Sequence, residues 1–80
     1  MEIQVIGMGC DKCDTLYKNT LEALDRLKVQ ADVRKVEDLV DIVRLGVMTA
    51  PSLMIDGRLV VSGSVASVDT VAGYIRRALR

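Results

Sequence analysis

The chain is poor in aromatic and imidazole side chains. Its 80 residues include no Trp, Phe or His, and Tyr17 and Tyr74 are its two aromatic residues. Two tyrosines make a poor stacking platform for nucleobases, and the 11 basic residues are balanced by 11 acidic ones, which leaves no excess positive charge for phosphates. We therefore expect no nucleic-acid partner.

The sequence also lacks the patterns of export and membrane insertion. The N-terminal stretch "MEIQVIG" carries an acid at Glu2 where a signal peptide would carry basic residues, and no later segment is long and apolar enough to span a bilayer. We expect a cytoplasmic protein with no membrane partner. In that reducing compartment, the two cysteines, Cys10 and Cys13, are more typical of catalysis or metal binding than of a permanent disulfide.

Half of the residues are hydrophobic, which is enough for one small domain over residues 1–80. Apolar residues at Ile3, Val5 and Ile6 predict a first strand. Helical spacing predicts a helix from about Asp11 to Lys28. The apolar stripe of this helix is predicted to contain Cys13, Leu16, Thr20, Leu24 and Leu27, with Leu21 beside it.

The rest of the sequence predicts a second strand, two further helices and a hairpin. Alternation at Val29, Ala31 and Val33 indicates a second strand. A short helix follows. Glu37 and Asp38 are the acids at its start, and Gly46 is its C-terminal cap. Its apolar side is made of Leu39, Ile42 and Val43. Asp56-Gly57 lies between "SLMI" and "RLVV", the pattern of a two-residue hairpin turn. The last helix is predicted to start at Ser67, with Asp69 in its first turn and a buried stripe of Val68, Val71, Ala72, Ile75 and Leu79.

The predicted order is therefore β-α-β-α-β-β-α, and the economical arrangement is an α/β fold with a four-stranded mixed sheet and helices on both faces. Within it, "GMGCDKCDT" sets Cys10-x-x-Cys13 between the first strand and the first helix, and Thr49-Ala50-Pro51 precedes the hairpin. Together these features resemble the thioredoxin-like superfamily and, more narrowly, the small glutaredoxin-sized redox-active disulfide proteins.

The resemblance implies a dithiol–disulfide oxidoreductase in which Cys10, Cys13 and Pro51 are catalytic. It also implies a cis Ala50–Pro51 bond beside the cysteines, although a proline at the start of a strand is the simpler interpretation of Pro51 alone. Ala50, Thr49 and Lys12 are the candidate substrate-binding residues. The implied partners are a disulfide-containing protein or small thiol substrate and an upstream reductase or thiol reductant, with no cofactor and no metal.

The helix start indicates the role of each sulfur. The free N–H groups of a helix N-terminus stabilise a thiolate, so Cys10 is the expected nucleophile, aided by Lys12 and opposed by Asp11. Cys13 lies one turn further along on the apolar stripe, so we expect it to be shielded and to resolve the mixed disulfide.

The chain departs from the family pattern at three places. Gly-Met-Gly precedes Cys10, where many thioredoxins carry an aromatic residue directly before the first cysteine. Gln4 stands where thioredoxins carry a buried carboxylate. The stretch "SGSVAS" contains Gly63 but lacks the acidic pair with which glutaredoxins hold glutathione. Ser64 and Ser67 offer hydroxyls there, and the favoured interpretation of Ser67 is a helix cap.

Three alternatives remain open at the level of sequence. Met8-x-Cys10-x-x-Cys13 resembles the heavy-metal-associated domains, and thiolates and thioethers suit Cu(I), but that fold ends on a strand. A zinc site wants four Cys or His ligands, and one chain supplies two cysteines. A redox-inactive adaptor would use Met8 and Met48 as a contact surface, although the favoured interpretation of both is ordinary packing.

Overall fold

A computed structural model of the chain describes residues 1–8 and 11–79. The described residues form β1 (Glu2–Ile6), α1 (Asp11–Leu27), β2 (Asp32–Val36), α2 (Leu39–Leu45), β3 (Ser52–Ile55), β4 (Arg58–Ser62) and α3 (Val68–Ala78). This is the predicted order of elements. None of these helices combines the length and the hydropathy needed to cross a bilayer.

The four strands form one mixed sheet in the order β2-β1-β3-β4. β1 pairs in parallel with β2, with Ile3 opposite Val33, and it pairs antiparallel with β3, with Ile3 opposite Ile55. β3 and β4 form the antiparallel hairpin. The crossover through α1 explains the parallel pair, because parallel neighbours need a long connection. The mixed four-stranded sheet is confirmed.

Helices cover both faces of the sheet, as predicted. Successive residues of a strand point to opposite faces, so β1 contributes to two apolar clusters. Ile3 and Val5 belong to the larger cluster, which also contains residues of α1 and α3, among them Leu16 and Ile75. Ile6 belongs to the smaller cluster with Val47 and Met54, against which α2 packs Ile42 and Leu45. The unequal clusters leave α2 the least embedded of the three helices.

Local capping signals predicted the helix ends well. Asp38 accepts a hydrogen bond from the Val40 N–H at 2.8 Å, and Gly46 closes α2 with a φ of 74°. Ser67 accepts from the Thr70 N–H at 3.2 Å and caps α3, which agrees with the favoured interpretation of that serine. Such caps satisfy backbone groups that the helix itself leaves unpaired.

The predicted second strand begins later than its alternation suggested. The N–H of Val29 donates to the Leu24 carbonyl at 3.0 Å, and Lys28 has a φ of 56°. Val29 therefore belongs to the C-terminal cap of α1, which withholds its N–H from a strand ladder. The Asp32 N–H donates to the Met1 carbonyl, and β2 starts there. Including Val29 and Ala31 in the strand was wrong.

Several residues of the predicted apolar stripes are exposed. Leu21 and Leu79 are both exposed, because Leu21 lies beside the stripe and Leu79 is the C-cap beyond α3. Ala23, which was not predicted, is buried in that part of α1 together with Thr20 and Leu24. On α2, Leu39 and Val43 are exposed, while Ile42 is half-buried. The short α2 turns one narrow edge toward the sheet, so Ile42 packs against the smaller cluster while the other two residues of the predicted apolar side face outward.

The Asp56-Gly57 turn is the predicted two-residue hairpin connection. Both residues have positive φ, 49° at Asp56 and 81° at Gly57, as a turn that matches the twist of the strands requires. Asp56 also contacts β1: its N–H donates to the Glu2 carbonyl, and its carboxylate accepts from the Glu2 N–H, each at 2.8 Å. One residue is inserted in β4, because Leu53 pairs with Val61 and Met54 with Leu59. Val60 is thus the extra residue of a β-bulge.

Two glycine-to-alanine substitutions should have opposite effects on the free energy of unfolding. Gly57→Ala forces a side chain into left-handed backbone at a φ of 81° and should destabilise the protein by about 1–2 kcal/mol. A methyl group added at Gly73, within α3, would meet no other side chain or segment within 4 Å, so Gly73→Ala should stabilise the protein by about 0.5–1 kcal/mol. Urea denaturation measures both, and equal effects of the two variants would contradict the turn geometry.

Candidate active site

Three segments meet at one end of the sheet. These are the residue after β1, the first turn of α1 and the loop that precedes β3. A Cβ added to Gly7 would overlap the Sγ of Cys13 and would lie 3.6 Å from the Cβ of Ala50. The Gly7 N–H continues the sheet by donating to the Val36 carbonyl at 3.0 Å. The structure therefore brings Cys13 and Ala50, both predicted site residues, against the same backbone position.

Cys13 is enclosed at this junction. It lies in the first turn of α1, is 6% exposed and is disulfide-bonded. Its burial agrees with the expectation of a shielded second sulfur. Cys10, the expected nucleophile, falls outside the described residues, so its assignment stays a prediction. Lys12 is exposed.

The loop of residues 49–51 exposes its first two residues and buries the third. The Ala50–Pro51 peptide bond is cis. Pro51 is fully buried, and its carbonyl accepts a hydrogen bond from the Gly63 N–H at 2.9 Å. Thr49 and Ala50 are exposed. Since Pro51 also comes directly before β3, it occupies the strand-start position that the simpler interpretation expected.

A cluster of three hydroxyl groups lies behind this loop. The Oγ1 of Thr49 is 2.6 Å from the Oγ of Ser62 and 3.1 Å from the Oγ of Ser52. The Ser52 hydroxyl donates to the Thr49 carbonyl at 2.8 Å, and Ser52 is fully buried. The sequence analysis did not single out Ser52 or Ser62. A sequence-based pairing of the two serines across the hairpin would have indicated the cluster. The bulge at Val60, however, shifts the register of β4 by one residue, so a regular hairpin does not predict that pairing.

An apolar groove of about 590 Å³ opens beside the loop. Its floor and walls include Ile42, Val47 and the loop residues 49–51, and Lys12 is its one charged lining residue among those described. The large exposed side chains on its walls are Met8, Leu39, Val43 and Met48. Met8 is 57% exposed and Met48 is 94% exposed, so the interpretation of both as ordinary packing residues was wrong. They form part of a surface instead.

An ion pair ties the start of α1 to β2. The Nζ of Lys35 lies 2.6 Å from the carboxylate of Asp14, the residue after Cys13, and 4.9 Å from the ring centroid of Tyr17. The hydrogen bond from Lys35, together with its charge, lowers the pKa of Asp14, and the same hydrogen bond raises the pKa of Lys35. Asp14 therefore remains ionised, with its charge countered by the neighbouring Lys35. The pair is exposed, so it contributes little stability.

The order of elements separates the redox and copper interpretations. The last described element is the helix α3, whereas the heavy-metal-associated fold ends on a strand. The copper interpretation also gives no account of Thr49-Ala50-Pro51. The described fold is therefore not that of the copper-binding alternative.

Comparison with known proteins gives one consistent result. Residues 1–76 match a family described as a thioredoxin domain. The chain is 37% identical over 71 residues to a thioredoxin of Methanothermobacter thermautotrophicus, which covers 89% of the chain and 92% of that relative. It is 32% identical over 69 residues to a thioredoxin of Methanocaldococcus jannaschii, covering 86% of the chain and 79% of that relative.

Gly7→Ala should disrupt the junction of the three segments. The new methyl group would overlap the Cys13 sulfur, which is shielded and held in a disulfide, so the sulfur or the end of β1 must move. Overpacking of this kind destabilises by about 1–3 kcal/mol. Urea denaturation of the oxidised protein measures the loss, with Gly73→Ala as the glycine-to-alanine control. An unchanged midpoint for Gly7→Ala would contradict the close approach.

Proposed function

This chain belongs to the thioredoxin domain family, and on that basis we propose that it is a small dithiol–disulfide oxidoreductase. Cys10 and Cys13 exchange two electrons with the disulfide of a substrate. The observation that carries the proposal is the meeting of Cys13, at the start of α1, with Ala50 of the cis-proline loop against Gly7.

The reaction consists of two thiol–disulfide exchanges. Cys10 comes directly before the first helical residue, so the N-terminal dipole of α1 favours its thiolate. That thiolate attacks one sulfur of the substrate disulfide, forms a mixed disulfide and releases the other sulfur as a thiolate. Cys13 then loses its proton and attacks the Cys10 sulfur. The product is a Cys10–Cys13 disulfide, and the second substrate sulfur leaves as a thiolate. Two electrons have passed from the protein to the substrate.

The burial of Cys13 suits the second step. Its buried sulfur is shielded from a bulky substrate and from solvent thiols. In the proposed reaction, the Cys13 sulfur attacks only a disulfide held at the start of α1, which is the position of the mixed disulfide on Cys10. Ala50 is exposed, and its backbone is the proposed pairing partner for an extended substrate segment, while buried Pro51 holds the loop in place.

The cycle closes when an upstream reductase or a thiol reductant returns two electrons. The two sulfurs carry both electrons, so the proposed reaction needs no organic cofactor and no metal. A closely spaced dithiol that must be returned to its reduced form suits a reducing compartment, and we propose the cytoplasm as the site of action.

Trapping of covalent partners tests the assignment of the two sulfurs. Cys13→Ser should retain mixed disulfides with substrates, because no second sulfur can resolve them. Cys10→Ser should retain few, because the proposed nucleophile is gone. Each variant is mixed with native insulin, whose disulfides are intact, and the mixture is analysed by non-reducing electrophoresis. The double serine variant is the blank. Equal trapping by both single variants would overturn the assignment.

The apolar groove supports a protein disulfide as the substrate in preference to glutathione. Glutathione carries two carboxylates and an ammonium group at neutral pH, and Lys12 is the one charged group that the described lining offers them. Exposed Leu39, Val43 and Met48 instead suit the apolar side chains of a polypeptide next to its disulfide.

Val43→Gln should weaken the use of a protein disulfide selectively. Val43 is 67% exposed and lines the groove, so the change removes apolar contact area without opening the core. Burial of a valine side chain contributes about 1.5 kcal/mol, which predicts a rise in the KM for insulin of roughly tenfold. The rate with the small disulfide cystamine should stay the same.

Val40→Gln is the matched control. Val40 is 57% exposed on the same helix, but it does not line the groove. Glutamine is a good helix former, so both variants should keep α2 intact. Equal changes in the KM for insulin in the two variants would show that the groove does not select the substrate.

A further inference from the structure

We propose that the hydroxyl groups of Thr49, Ser52 and Ser62 form a directed hydrogen-bond relay that positions the cis-proline loop for its substrate. We call these three groups the hydroxyl relay. The inference rests on the proposed function, and it gives Thr49 a role different from the one that the sequence suggested. Thr49 becomes a positioning residue that acts through the loop backbone and not through a contact of its side chain with the substrate.

The number of hydroxyl hydrogens fixes the direction of the relay. A serine or threonine hydroxyl has one hydrogen to donate and two lone pairs to accept. Ser52 donates its hydrogen to the Thr49 carbonyl at 2.8 Å, so it must accept in its 3.1 Å contact with the Thr49 hydroxyl. Thr49 has then used its own hydrogen, and it accepts from Ser62 in the 2.6 Å contact. Hydrogens therefore point from Ser62 to Thr49 to Ser52 and back to the Thr49 carbonyl.

The relay fixes one end of the loop, and the β3–β4 ladder fixes the other. Ser52 and Ser62 face each other as the outermost pair of that ladder. Next to them, the Gly63 N–H donates to the Pro51 carbonyl at 2.9 Å. The carbonyls of Thr49 and Pro51 are thus both engaged by the hairpin. Ala50, exposed between them, is the residue whose backbone this arrangement presents to a partner.

The location of the relay indicates that loss of its hydrogen bonds should weaken substrate recognition more than it lowers the free energy of unfolding. Thr49 and Ser62 are exposed, so water can replace the hydrogen bond between them with little loss of stability. Water cannot hold the Thr49 carbonyl and the Ala50 backbone in one orientation. A looser loop would bind an extended substrate segment more weakly, because the entropy lost in ordering the loop would then reduce the free energy of binding.

Thr49→Val tests the relay, because valine keeps the shape of threonine and removes the hydroxyl. We expect the kcat/KM for insulin to fall roughly fivefold, the equivalent of one hydrogen bond, mainly through KM. The rate with cystamine, which has no peptide backbone to pair with Ala50, should fall by a clearly smaller factor. Thr49→Ser restores the hydroxyl and should restore wild-type kinetics. Ser62→Ala removes the first donor at an exposed position and should show the same selective loss.

Thr20→Val is the control for loss of a buried hydroxyl. The Thr20 side chain is fully buried and donates to the Leu16 carbonyl at 2.8 Å, away from the loop. Assays well below the unfolding temperature should leave its insulin kinetics unchanged. Equal losses in Thr49→Val and Thr20→Val, or failure of Thr49→Ser to rescue, would overturn the relay. A wild-type protein that reduces neither insulin nor cystamine would instead contradict the proposed function, and the relay with it.

Discussion

The close approach of Cys13 to the end of β1 is the contact on which the rest of the site depends. Gly7 has no side chain, and the Cys13 sulfur occupies the space in which a Cβ would stand. This allows α1 to start tight against the sheet, with its apolar stripe on the larger core cluster. It also lets the loop of residues 49–51 reach the same point through Ala50. One missing methyl group therefore sets how close a sulfur, a helix start and a loop can come.

The parts of this fold that could be predicted from sequence are those set by local chemistry. Asp38, Gly46 and Ser67 cap helices because their own side chains or backbone freedom satisfy nearby groups. Asp56-Gly57 specifies its turn for the same reason. Periodicity also placed Cys13 on the buried stripe of α1, as its low exposure bears out.

What escaped prediction depends on contacts between distant segments. The exposure of Leu39 and Val43 follows from how little of the sheet the short α2 covers, which no local pattern records. The late start of β2 follows from the Val29 N–H capping α1. Ser52 and Ser62 were missed because a regular two-residue hairpin would set Ser52 opposite Val61. The inserted Val60 moves Ser62 into that place.

The inserted residue Val60 also determines which residue of the edge strand β4 lies opposite Ser52, next to the loop of residues 49–51. If β4 kept its length but paired regularly, an aliphatic side chain would face Ser52, and the serine of β4 would lie one place beyond it. The sulfurs, the proline and the groove would all be unaltered in sequence, yet the Thr49 hydroxyl would lose its contact with Ser62. Under the proposed relay, the regularity of this one peripheral strand would therefore affect substrate choice without any change in the cysteines.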